Sequence, residues 1–152
     1  MRRLHLWIGL AGVVAFILTG QYMDRRLGHL AGMADLPRML YRSAHIYLLL
    51  GSLLNLLLGL YVTEAPAGWR RWARRIGSVP IALAPLFFIV AFAREPHFAG
   101  SIRPYAAPAL EGVLFGAVLH AISHVGSRGT PKGVSYETER GTPTRAPYET
   151  DI

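Results

Sequence analysis

Apolar residues gather in four stretches of the chain, Leu4–Tyr22, Ala44–Val62, Val79–Ala93 and Ala106–Val125, with polar segments between them. A helix needs about 20 mostly apolar residues to cross a ~30 Å hydrocarbon core. Three of the four stretches reach or approach that length, and none contains Lys or Arg. Each such residue would cost roughly 2.5–3.5 kcal/mol at mid-membrane. The pattern predicts an all-α integral membrane protein: an antiparallel four-transmembrane-helix bundle over residues 1–126, then an extended polar tail over 127–152. The third stretch is the shortest and carries Pro80 and Pro85. Pro80 suits a first turn, where its missing N–H costs nothing, but Pro85 should kink the helix unless neighbours compensate. The fourth starts around Pro108, a residue suited to an N1 position. Glu111 then falls in its first turns, where the helix dipole favours an anion; the alternative is a functional intramembrane acid.

Polar residues refine this picture. In the second stretch Gly51, Asn55 and Gly59 recur at i, i+4 and i+8 and share one helical face. Small residues at that spacing let helices approach closely. Asn55 has to find a partner within the bundle, because lipid offers none. The segment Trp69–Ile76 reads Trp-Arg-Arg-Trp-Ala-Arg-Arg-Ile. Trp69, Trp72 and Ile76 share one face, and Arg70, Arg71, Arg74 and Arg75 cover the rest. This predicts a short interfacial helix, with indoles at headgroup level and guanidinium groups toward anionic membrane lipids.

The net charge of +7 would suggest nucleic acid in a soluble protein. In a membrane chain it is better read as topology. Arg2, Arg3, Arg70, Arg71, Arg74, Arg75, Arg128, Lys132, Arg140 and Arg145 flank one side, and Arg25, Arg26, Arg38, Arg42, Arg94 and Arg103 the other. Basic residues collect on the cytoplasmic side, so both termini are expected there and no nucleic-acid partner is expected. The first stretch is longer than a signal-peptide core and ends in Thr19-Gly20-Gln21-Tyr22, a poor cleavage site; it is expected to be a retained span. The chain has no cysteine, which excludes disulfides, thiolate metal sites, Fe–S clusters and covalent haem attachment.

The tail contains a tandem repeat. Residues 129–140 read GTPKGVSYETER and residues 141–152 read GTPTRAPYETDI. Two copies are too few for a solenoid. Pro131 and Pro143 are expected to turn the chain, and Tyr136 and Tyr148 to dock it on another subunit of a membrane complex.

The six histidines are the main candidates for chemistry. His5, Gly9, Gly12 and Phe16 lie roughly on one face of the first span, and Gly112, Gly116, His120 and His124 recur at i+4 on the fourth. Imidazole is an axial ligand for haem iron, and glycine leaves room for a flat macrocycle; the same Gly-x-x-x-Gly spacing is also the ordinary signature of helix packing. Running antiparallel, the two spans would bring His5 and His120 or His124 to the same end. Arg3-Leu4-His5-Leu6-Trp7 opens a span that closes with Thr19-Gly20-Gln21-Tyr22-Met23, His45 begins the second, and His120 and His124 lie on the fourth. Over these three spans the chain resembles bacterial four-helix membrane cytochromes b. The resemblance implies a bacterial inner-membrane protein that passes electrons through haem b. It departs from that pattern at Pro104-Tyr105-Ala106-Ala107-Pro108, where no histidine is available to pair with His45. One haem at most is therefore expected, at the cytoplasmic end.

Met23, Met33 and Met39 lie near His29 and His45. Thioether and imidazole donors suit copper, so His29, Met33 and His45 are candidate metal ligands facing the periplasm. No phosphate-binding loop, His-Glu-x-x-His or Ser-centred elbow is present. The expectation is an electron carrier or structural subunit rather than an enzyme: a small accessory subunit of a larger membrane complex, able to carry one haem b. A stand-alone cytochrome b-like protein and a copper-binding membrane protein are the alternatives.

Overall fold

A computed structural model describes residues 1–61, 68–98 and 100–125. Four helices make up the described chain: α1 (Arg2–Arg25), α2 (Asp35–Tyr61), α3 (Trp69–Arg94) and α4 (Ala106–Val125). Short 3-10 turns at Gly28–Leu30 and Glu95–His97 follow α1 and α3. All four helices are long and apolar enough to cross a membrane, which is the profile of a multi-pass membrane protein. The repeats at 129–140 and 141–152, with Pro131, Tyr136, Pro143 and Tyr148, lie outside the described residues.

Contacts across the helices run in opposite chain directions. Gly9 faces Leu56 and Gly12 faces Ser52 between α1 and α2. Asn55 reaches Ile81 while Gly51 faces Ala84 and Phe88 between α2 and α3. Ser78 meets His120 and Arg74 meets Ser123 between α3 and α4. The helices are therefore antiparallel, each packed along its chain neighbour, with α2 and α3 in the middle. The core is built from Leu48, Phe88, Ala84, Ala91, Ala109 and Val113. Outward faces stay apolar, with Trp7 68%, Ile46 61%, Leu86 58% and Leu114 59% exposed. Apolar faces of this extent on every helix belong against lipid or protein rather than water.

Two expected boundaries change. Trp69–Ile76 is not a separate interfacial helix; it forms the first two turns of α3, which runs without a break through Pro80 and Pro85. α2 starts at Asp35, about two turns before the apolar stretch, with Pro37 in its first turn where no N–H is needed.

Candidate functional site

Pro85 lacks the N–H that would bond the carbonyl of Ile81, one turn earlier in α3. Asn55 of α2 supplies the missing donor: its Nδ2 donates to Ile81 O at 2.7 Å and to Gly51 O at 2.8 Å. Both partners can only accept, so the network assigns Oδ1 to the remaining direction. There it faces Nδ1 of His5 at 2.7 Å. Oδ1 only accepts, so His5 Nδ1 carries the proton, and in the neutral ring Nε2 keeps its lone pair. Asn55 is fully buried and His5 is 3% exposed. One amide thus joins α1, α2 and α3 and fixes a histidine tautomer.

A second imidazole lies at the same end. His120 of α4 is 8% exposed, and its Nε2 lies 3.1 Å from Ser78 Oγ of α3. Its Nδ1 is buried without a hydrogen-bond partner. His120 is within Coulombic reach of His5, Arg74 and His124. Arg74 Nε donates to Ser123 Oγ at 3.1 Å, and Ser123 Oγ donates to His120 O at 2.7 Å. Arg74 Nη2 donates to His124 Nε2 at 3.0 Å. Arg74 is therefore not a lipid-facing residue: it shares the inward face of α3 with Ser78 and Ile81, and is 8% exposed. Its neighbours do turn outward. Trp69 and Trp72 are 60% and 64% exposed, with Arg70 and Arg75 set over their rings at 6.0 and 5.8 Å. Arg71 is exposed as well.

The glycine stripes sit where helices pack closely. A Cβ on Gly9 would lie 2.7 Å from the backbone nitrogen of Leu56, and one on Gly12 would collide with Ser52. On α4, a Cβ at Gly112 would stand 3.1 Å from Pro80, and one at Gly116 would strike the carbonyl of Gly77. α2 and α3 fill the space left by the absent side chains. Tested against haem, the donors fit and the cradle does not. His5 Nε2 and His120 Nδ1 are uncommitted nitrogens at one end of the bundle, but the glycines hold helices rather than a slot for a macrocycle.

At the other end the candidate metal ligands are engaged one by one. His29 Nε2 pairs with Asp24 at 2.5 Å on the surface. Met33 packs against the core. Thr19 Oγ1 donates to Phe16 O at 2.9 Å and so accepts from His45 Nδ1, also at 2.9 Å. The His45 ring stacks on Phe16 with centroids 4.0 Å apart. Among the described residues no group of three or more His, Asp or Glu side chains could hold a metal ion.

The most buried charge was missed by the sequence reading. Glu95 has no exposed surface. Its Oε1 accepts from the N–H groups of Tyr105 and Ala106 at 3.0 and 2.7 Å. Oε2 lies 3.5 Å from Arg103 Nε, and Arg103 Nη2 donates to Ser43 Oγ at 2.6 Å. Glu95, not Glu111, is thus the anion at the N-terminus of α4, where the orphan N–H groups and the dipole both favour it. The signal was present as an acid just after the third span and an Arg just before the fourth, at positions that read as loop. No family model, no curated protein and no solved structure matches this chain.

Proposed function

We propose that the protein is a non-catalytic accessory subunit that stands in the membrane as a braced four-helix unit within a larger assembly. The observation that supports this reading is the way the polar side chains inside the spans are used. Asn55, Ser78, Arg74, Ser123 and Glu95 each hold one helix to another or close a gap in a helix backbone. Such bracing stiffens the unit and leaves its outer faces for lipid and neighbouring subunits. The basic-residue asymmetry supports both termini on the cytoplasmic side, and the resemblance to membrane cytochromes b supports a bacterial inner membrane. From there the tail can reach a partner. The test is native-membrane extraction in mild detergent at native expression. The chain should migrate in a stoichiometric complex larger than its own monomer and copurify with defined subunits. Migration as a lone monomer under those conditions overturns the proposal.

A second function, electron transfer through one haem b, is favoured by the two uncommitted nitrogens of His5 and His120. The filled glycine gaps count against it, since a macrocycle there would need α1 and α4 to part from α2 and α3. A purified sample should then show a sharp alpha band on reduction, lost in His5→Ala or His120→Ala. A colourless, folded preparation from haem-replete cells ends this alternative.

A further inference from the structure

Glu111 is the one acid inside the apolar stretches, and the structure turns it away from the bundle. At 100° per residue, Ala106, Ala109, Val113, Gly116, His120 and Ser123 form one face of α4, and all six are buried. Glu111 falls on the opposite face, in a stripe with Ala107, Leu114, Phe115, Val118 and Ile122, all exposed. Leu114 and Phe115 flank it, at 59% and 55% exposure. At 1.5 Å per residue it lies about 7.5 Å along the axis from Ala106. Among the described residues no hydrogen bond or ion pair reaches its carboxylate. The N-terminus of α4 does not need it, since Glu95 already serves that end.

A carboxylate on a lipid-facing stripe is costly, and intramembrane acids face partners or water-filled cavities. We infer that the Glu111 face of α4 is a docking surface for a transmembrane helix of another subunit, one that carries a Lys or Arg at the depth of Glu111. Charge selects this occupant. A second copy of this chain, docked face to face, would set carboxylate against carboxylate. A purely apolar helix would leave the charge without a partner. Beside the stripe, a groove of about 150 Å³ lined by Leu83, Phe87 and Pro108 opens between α3 and α4. It is shaped to take an apolar side chain of the docked helix. The inference rests on the accessory-subunit reading and names the chemistry of the partner.

The full chain, labelled at its N-terminus, would be reconstituted in phosphatidylcholine vesicles. The probes are two synthetic Leu/Ala transmembrane helices, identical except for a Lys or a Leu about a turn and a half from one end. Association is read by energy transfer. The Lys probe should bind about fivefold more tightly than the Leu probe, the range of an interhelical polar contact in a membrane. Glu111→Leu should remove that difference while leaving the helical spectrum unchanged. Equal binding of the two probes, or a difference that survives Glu111→Leu, overturns the inference. So does self-association of the labelled chain that disappears with Glu111→Leu, which would make the occupant a second copy. Native complexes separate this failure from failure of the subunit reading: an intact large complex in the Glu111→Leu chain places the docking surface elsewhere, whereas a monomer in the wild type removes the subunit itself.

Discussion

Replacing Asn55 with Leu keeps the branched outline of the side chain, at a somewhat larger volume, and removes the amide that links three helices. Two interhelical bonds disappear, to His5 Nδ1 and to Ile81 O. The bond to Gly51 O matters less, because that carbonyl is also the i−4 partner of the Asn55 backbone N–H. Interhelical bonds in membranes average about 0.6 kcal/mol and reach about 1.7. Each group left buried without a partner adds a desolvation cost of about 1–3 kcal/mol in the folded state. Ile81 O has no backbone donor to fall back on, since Pro85 has no N–H. The expected loss is about 2–4 kcal/mol, read from reversible unfolding in mixed micelles. A second substitution isolates the cause. Pro85→Ala returns a donor to Ile81 O, so Asn55→Leu should cost about 1 kcal/mol less in that background, a coupling within the usual range for neighbouring sites. A cost of Asn55→Leu near zero, or the same cost with and without Pro85, would refute the idea that the amide repairs the proline gap.

Other expectations follow from the same contacts. Gly9→Leu should separate α1 from α2, because Leu56 backbone stands 2.7 Å from the new Cβ; destabilisation of about 1–3 kcal/mol or more is expected in the same unfolding assay, and a neutral result would mean that the helices do not meet there. Glu95→Ala leaves the N–H groups of Tyr105 and Ala106 without their acceptor and should cost about 2–4 kcal/mol at about 1–3 for each stranded group, with Glu95→Gln costing less; hydrogen exchange at Tyr105 and Ala106 should rise first, and unchanged exchange would contradict the cap. Reporter fusions in the connection between α2 and α3 and after Ile152 should both report cytoplasm, as the basic-residue asymmetry requires; a periplasmic signal from either reverses the orientation. Deleting residues 129–152 should leave the four helices inserted and weaken copurification with partner subunits, and undiminished copurification would make the repeats passive.

The helices were legible because lipid imposes a length and a composition that few other environments impose. The fourth stretch, Ala106–Val125, coincides with α4, and the need of Asn55 for an internal partner followed from its burial in an apolar span. What escaped was the identity of each partner. A glycine stripe next to a histidine is the same pattern whether the gap admits a macrocycle or a neighbouring helix. Only the residues across the gap decide, and at Gly9, Gly12, Gly112 and Gly116 they are Leu56, Ser52, Pro80 and Gly77. Compensation of Pro85 could not be read from α3 alone for a similar reason: the donor to Ile81 O sits 30 residues earlier on another helix. Arg74 belongs to a run of four arginines, and nothing within the run sets it apart. Its inward turn is fixed by Ser78 and Ile81 one and two turns later, so the face it occupies depends on α3 continuing unbroken through Pro80. Sequence periodicity therefore gives the faces of these helices once their ends are known, and the ends were hidden where proline falls inside a helix, as in α2 and α3.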